Sequence, residues 1–115
     1  MKPASMELNT DNFEQEVLES DLPVAAYFWA EWCGLCKTLT PVLDELATEY
    51  EERIQVGQVN IDAHPALTNE YRIRDTPTLI FFHKGNVLRR LTGDASRSHL
   101  EEMFEQMAEI AEEQD

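Results

Sequence analysis

Cys33 and Cys36 are the two cysteines of this 115-residue chain, and two residues separate them. Residues three apart on a helix lie on the same face, so this spacing can bring the two sulfur atoms together. The chemistry open to such a pair is thiol–disulfide exchange, in which a thiolate attacks a disulfide sulfur. We expect Cys33 to be the nucleophile, and Cys36, deeper and one turn on, to be the resolving thiol.

Two other uses of a cysteine pair are weaker hypotheses. A zinc site needs two further ligands, but His64, His83 and His99 are isolated and have no ligand-like spacing. A purely structural disulfide across so short a loop contributes little stability, and intracellular proteins rarely keep one. We therefore expect no metal and no cofactor, apart from a redox-active disulfide between Cys33 and Cys36.

The elements on either side of the pair predict how it is held. Residues 22–30 (LPVAAYFWA) form a continuous apolar run, typical of a strand buried on both faces. From Cys33 to residue 50 the apolar side chains recur at helical spacing, with an expected kink at Pro41. Cys33 then lies at a helix N-terminus, where backbone N–H groups and the macrodipole stabilise a thiolate relative to a thiol.

The remaining patterns predict a mixed α/β fold. Further helices are predicted at 11–18, 65–71 and 96–112, with Asp11 and Glu14 capping the first and Ser96 or Ser98 capping the last. Strands are predicted at 54–61, 78–83 and 87–91, the last two joined by a turn at 84–86. The first two strands flank a helix and should be parallel, whereas the hairpin strands should be antiparallel. We expect one domain over residues 1–115, with a central sheet of four to five strands and helices on both faces.

Several segments are similar, in the same order, to those of the thioredoxin family. They are residues 28–37 (FWAEWCGLCK), 40–47 (TPVLDELA), 59–62 (VNID), 76–78 (TPT) and 82–85 (FHKG), followed by Gly93. The resemblance runs from about Phe13 to Met107 without large gaps, so it covers nearly the whole chain.

This resemblance implies a thioredoxin fold and the reduction of protein disulfides, with re-reduction by a thioredoxin reductase. It implies a cis peptide bond before Pro77, because X–Pro bonds adopt cis at low cost. It also implies a substrate groove beside Cys33, whose binding residues are Trp32, Gly34, Leu35, Thr76, Pro77 and Gly93.

Leu35 departs from the family pattern, since thioredoxins usually have proline between glycine and the second cysteine. Leucine restores an N–H donor near the sulfurs, which favours the thiolate form and makes the couple more oxidising. We predict a reduction potential above the value of about −270 mV known for thioredoxin.

Tyr27 and Gln58 are a second departure, and we assign both to redox tuning. Tyr27 stands where the family usually buries an aspartate beneath the dithiol, and Gln58 stands where a lysine usually pairs with it. Losing both charges together leaves no unpaired buried charge, which favours stability, but it removes a proton acceptor. Asp75 and Thr76 also differ from the usual residues and suggest a narrower or different set of partners.

Charge and composition limit the function further. The net charge of −14 disfavours nucleic acids and anionic membranes, and no apolar run is long enough to span a bilayer. The first ten residues contain no signal-peptide pattern, so we expect a cytoplasmic, monomeric protein acting on protein disulfides. Two alternatives remain: a more oxidising disulfide oxidase or isomerase, and a binding or assembly module with little redox turnover.

Overall fold

The computed structural model describes residues 5–114. Its centre is a sheet of five strands in the spatial order β1-β3-β2-β4-β5. The strands are β1 (Ser5–Glu7), β2 (Val24–Trp29), β3 (Gln55–Asn60), β4 (Thr78–His83) and β5 (Asn86–Thr92). Both β1 and β2 run parallel to β3, whereas β4 is antiparallel to β2 and β5. The predicted mixed sheet is confirmed at the upper end of the expected strand number.

Three α-helices and one π-helical segment cover the two faces of the sheet. They are the π-helical segment (Glu14–Leu18), α1 (Gly34–Glu49), α2 (Pro65–Glu70) and α3 (Arg97–Glu113). Helix α1 continues through Pro41, which has no N–H to donate to the preceding turn. The kink predicted there stays a prediction. No helix within residues 5–114 is both long enough and apolar enough to cross a membrane.

The sheet separates two buried layers of side chains, because successive residues of a strand point to opposite faces. The dithiol layer lies between the sheet and helices α1 and α3, and it contains Tyr27, Phe81 and both cysteines. The aromatic layer lies on the opposite face, under the π-helical segment and α2. Its rings include Phe13, whose centroid lies 5.3 Å from that of Tyr71 and 5.8 Å from that of Phe82.

The first helical segment differs from the prediction in its cap. Asp11 and Glu14 do not form the predicted cap. Instead, the side-chain oxygens of Asn9 and Asn12 each accept a hydrogen bond from the backbone N–H of the other residue. The Asn9 Oδ1 accepts from the N–H of Asn12 at 2.9 Å, and the Asn12 Oδ1 accepts from the N–H of Asn9 at 2.8 Å. These two bonds close the turn before the helical segment, whose own N-cap, Phe13, has no side-chain hydrogen bond.

Two other local predictions have clear outcomes. Ser96, and not Ser98, caps α3, because its Oγ accepts from the N–H of His99 at 3.1 Å. The hairpin turn is confirmed: Lys84 and Gly85 have φ of 52° and 84°, the signs that a two-residue type I′ turn requires. Strand β1 was not predicted, since its three residues are too few to show a period and its position depends on pairing with β3.

Candidate active site

The two cysteines form a disulfide at the start of α1, with their Cα atoms 5.3 Å apart. Cys33 is the N-cap of the helix and has an extended backbone, with φ −82° and ψ 111°. Its Sγ accepts a hydrogen bond from the N–H of Cys36 at 3.2 Å. The strand-to-helix position expected from the sequence is therefore observed, and a backbone donor points at the Cys33 sulfur. Both cysteines are buried, Cys33 at 5% exposure and Cys36 at 2%.

Trp32 precedes the pair and is anchored, although its side chain is 67% exposed. Its Nε1 donates to the Asp62 carboxylate at 2.8 Å, and Asp62 in turn is held by an N–H bond to Asn60 Oδ1. An exposed ring that is fixed in this way can present a flat apolar surface to a binding partner at little entropic cost. Gly34 and Leu35, between the cysteines, are also exposed.

A second group of predicted binding residues lies where β4 begins and β5 ends. It consists of Thr76, Pro77 and Gly93. Strand β4 begins at Thr78, which lies opposite Phe28 near the end of β2 and opposite Thr92 of β5. The Thr76–Pro77 bond is cis, as predicted, and the N–H of Gly93 donates to the Pro77 carbonyl at 2.9 Å. Gly93 has φ +93°, a conformation in which other residues are strained. The predicted binding residues therefore flank the end of β2, from which the chain leads to Cys33.

Tyr27 lies beneath the dithiol, fully buried on β2. Its hydroxyl contacts the backbone carbonyl of Cys36 at 3.3 Å and the Thr40 hydroxyl at 3.0 Å. Burial raises the pKa of Tyr27, and the negative charge of Asp44 acts in the same direction, while the Thr40 bond opposes them. Tyr27 is therefore a protonated hydrogen-bond donor at neutral pH, where the family usually has a carboxylate.

Gln58 lies opposite Tyr27 in the β2–β3 register, yet the two side chains have different partners. The Gln58 Nε2 donates to Ser5 Oγ at 2.8 Å and to Asp44 Oδ1 at 3.2 Å. Burial raises the pKa of Asp44. The structure therefore places an exposed carboxylate, that of Asp44, beside Gln58.

Thr40 and Asp44 are the two residues that sequence reasoning missed. Cys36, Thr40 and Asp44 follow one another at steps of four along α1, so they share a helix face. The sequence therefore shows that the polar side chains of Thr40 and Asp44 continue the helix face of Cys36, but it does not show what they contact. Thr40 also lines a surface cavity of about 380 Å³, together with Cys36, Trp29, Ala30, Glu31 and Lys37.

The histidines are dispersed in the fold. His83 is buried on β4 with its Nδ1 2.9 Å from Gln114 Oε1, His64 precedes α2, and His99 is exposed in the first turn of α3. Over residues 5–114, no group of three or more histidine, cysteine or acidic side chains is arranged to hold a metal ion.

Comparison with known proteins matches the sequence to one family. The family model "Thioredoxin" matches residues 4–106. The chain is 40% identical over 102 residues to thioredoxin 1 of Nostoc sp., which covers 89% of this chain and 95% of that protein. It is 42% identical over 100 residues to a thioredoxin of Acidithiobacillus ferridurans, and 44% identical over 90 residues to one of Porphyra purpurea. These alignments cover 87% and 78% of this chain, and 93% and 84% of those proteins.

The comparisons give no support to an oxidase, an isomerase or a binding module. They agree instead with the cysteine pair at the strand-to-helix junction and with the five-stranded mixed sheet. The chain belongs to the thioredoxin family, acts on protein disulfides, and is a thiol–disulfide oxidoreductase.

Proposed function

We propose that this protein is a disulfide reductase in which Cys33 attacks the substrate and Cys36 resolves the intermediate. The observation that carries the proposal is the placement of Cys33 as the N-cap of α1, with the N–H of Cys36 donating to its sulfur. A thiolate formed at Cys33 lies at the positive end of the helix dipole. Cys36 lies in the first turn of the same helix and forms a disulfide with Cys33.

The reaction proceeds by two exchanges. The Cys33 thiolate attacks one sulfur of the substrate disulfide, a Cys33–substrate bond forms, and the other substrate sulfur leaves as a thiolate that takes up a proton. The Cys36 sulfur, after losing its proton, attacks Cys33 and releases the second substrate thiolate. Two electrons pass from the dithiol to the substrate, and the protein ends with the Cys33–Cys36 disulfide.

The substrate surface we propose is the edge formed by Trp32, Gly34, Leu35, Thr76, Pro77 and Gly93. The exposed, anchored ring of Trp32 and the exposed Leu35 offer apolar contact next to the reacting sulfur. The Thr76 hydroxyl is buried without a hydrogen-bond partner among the described residues, so a bound partner could satisfy it.

We further propose a monomeric, single-domain, cytoplasmic protein that is re-reduced by a thioredoxin reductase and uses no cofactor besides its own disulfide. A dithiol that works as a reductant needs a reducing compartment and an electron donor, which supports this placement. Turnover of NADPH with a purified thioredoxin reductase, sedimentation velocity and cell fractionation test the donor, the oligomeric state and the compartment.

The central test is a trapping experiment with Cys36→Ser. If Cys36 is the resolving thiol, this variant should hold a disulfide-containing peptide on Cys33 as a stable mixed disulfide, seen by mass spectrometry. Cys33→Ser is the matched control and should trap none. Trapping by Cys33→Ser, or no adduct with Cys36→Ser under oxidising conditions, would contradict the assigned roles.

A further inference from the structure

The directions of the hydrogen bonds around Tyr27 can be assigned from the chemistry of the groups. A carbonyl oxygen only accepts, so the single hydroxyl proton of Tyr27 is donated to the Cys36 carbonyl. The Thr40 hydroxyl must then donate its proton to the Tyr27 oxygen. As a result, both lone pairs of the Thr40 oxygen remain able to accept other hydrogen bonds.

Thr40 contributes the hydroxyl among the residues that line the 380 Å³ cavity, and Cys36 lines the same cavity. Trp29 and Ala30 contribute apolar surface, and the exposed residues Glu31 and Lys37 connect the cavity to solvent. One water needs only about 30 Å³, so this cavity, which is open to solvent, has room for one beside the Thr40 side chain.

We propose that Thr40 is a positioning residue for the resolving step, because it holds a cavity water that takes the proton of the Cys36 thiol. A water that donates one hydrogen to the Thr40 oxygen keeps its lone pairs for the Cys36 S–H group. This water would replace the buried carboxylate that the chain lacks at Tyr27. The proposal rests on the proposed function, in which Cys36 is the resolving thiol.

The step balances without an added oxidant or reductant. The Cys36 sulfur gives its proton to the water, which passes it to bulk solvent. The Cys36 thiolate then forms a bond to the Cys33 sulfur, the Cys33–substrate bond breaks, and the substrate thiolate takes a proton from solvent.

The ionisable side chains around this route are those of Glu31, Lys37, Asp44 and Tyr27. Glu31, from the loop after β2, and Lys37, on α1, line the cavity with opposite charges. The charge of Asp44, one helical turn beyond Thr40, also raises the pKa of Tyr27, and Gln58 of β3 adds no charge. Because burial raises the pKa of Tyr27, the phenol keeps its proton and the assigned bond directions persist across the neutral range.

The test separates the two chemical steps in stopped-flow experiments with a peptide disulfide. Thr40→Val removes the hydroxyl and preserves the side-chain shape, Thr40→Ser restores a hydroxyl, and Thr38→Val is the matched control at an exposed position of the same helix. We expect Thr40→Val to slow the resolving step about 3- to 10-fold at pH 7, the effect of losing one hydrogen bond. Its rate–pH midpoint should move to higher pH, while mixed-disulfide formation by Cys33 keeps its rate.

The controls decide what a change means. Thr40→Ser should resolve within about two-fold of the unchanged protein, since it keeps the hydrogen-bonding group. If Thr40→Val resolves at the original rate and midpoint, or if Thr40→Ser or Thr38→Val is slowed equally, the positioning role is wrong. Failure of the proposed function is a different result, namely that Cys36→Ser traps no adduct.

Discussion

Tyr27 differs in chemistry from the residue usual at its position in the family, because it places a phenol where an aspartate is usually buried. Its ring is fully buried in the dithiol layer, and its hydroxyl is bonded to Thr40 and to the carbonyl of Cys36. The side chain fills space and fixes the first turns of α1, and its phenol stays neutral. At this position the structure thus has a hydrogen bond to the start of the helix and lacks the proton acceptor that a carboxylate would supply.

Tyr27→Asp should make the protein less stable and its disulfide exchange faster near neutral pH. Replacing a large buried aromatic side chain by a small one costs about 3–5 kcal/mol of unfolding free energy. Burial raises the pKa of a carboxyl group, so the new Asp is neutral in the fold at low pH. The proton bound by this carboxyl stabilises the fold fully at pH values below the pKa of the Asp in the unfolded chain. This stabilisation is lost as the pH rises through the pKa of the Asp in the fold. Urea unfolding at several pH values measures the first effect, and stopped-flow exchange measures the second.

Tyr27→Phe is the control for this substitution, because it removes the hydroxyl and keeps the ring. It should lose much less stability than Tyr27→Asp and gain no rate. Exchange by Tyr27→Asp that is unchanged or slower would show that a carboxylate at this position does not accept the proton.

Helix α1 sets the properties of the dithiol through its first turn, where Leu35 replaces the usual proline. Leu35 is 46% exposed, so a change here leaves the core packing unchanged. Proline is tolerated in a first helical turn, where it stiffens the backbone and removes an N–H. Leu35→Pro should therefore lower the reduction potential, while the unchanged protein should lie above about −270 mV. Equilibration with glutathione measures both values, and a starting value at or below that figure contradicts the prediction.

Helix α3 allows a direct comparison of two candidate caps. Ser96→Ala removes the acceptor for the N–H of His99 and should cost about 1 kcal/mol of unfolding free energy. Ser98→Ala, inside the first turn, should change it by less than about 0.5 kcal/mol. Thermal or urea unfolding of the two variants distinguishes them, and equal losses would mean that the bond to Ser96 does not stabilise the helix.

The elements show where sequence patterns suffice. The buried run at 22–30 and the helical period after Cys33 predicted β2 and α1, because both elements have enough residues to show their periods. Strand β1 and the Asn9–Asn12 turn were missed, since the strand depends on long-range pairing and the turn on a choice between neighbouring polar residues. In the site, the cysteines and Pro77 were visible in the sequence. The roles of Thr40 and Asp44 were not visible, because they depend on hydrogen bonds to residues of two strands. Thr40 contacts Tyr27 of β2, and Asp44 contacts Gln58 of β3.

The whole molecule carries a net charge of −14, and part of it lies around the active edge. Glu31, Asp62, Asp75 and Asp94 are all exposed near the ends of the strands that lead to the site. Charges of one sign accelerate association with partners of the opposite sign, and salt screens the effect. A cationic disulfide peptide should therefore be reduced at least about ten-fold faster than an anionic one at low salt.

Raising the salt concentration should narrow that ratio, because the screening length falls from about 10 Å at 0.1 M to about 3 Å at 1 M. Asp75→Lys should narrow it more than Glu14→Lys, which changes the net charge equally but belongs to the π-helical segment over the aromatic layer. If the ratio of the two reduction rates does not depend on salt, the acidic groups around the site do not attract cationic peptides.

The two buried layers have a consequence for how this molecule can change over evolutionary time. Both sulfurs, Tyr27 and Thr40 belong to one side of the sheet or its adjoining helix, while the rings of Phe13, Tyr71 and Phe82 pack on the other. Substitutions among those rings can raise or lower thermal tolerance without touching a group that reacts. The unfolding free energy can therefore change through one side of the sheet while the electron-transfer chemistry on the other side stays as it is.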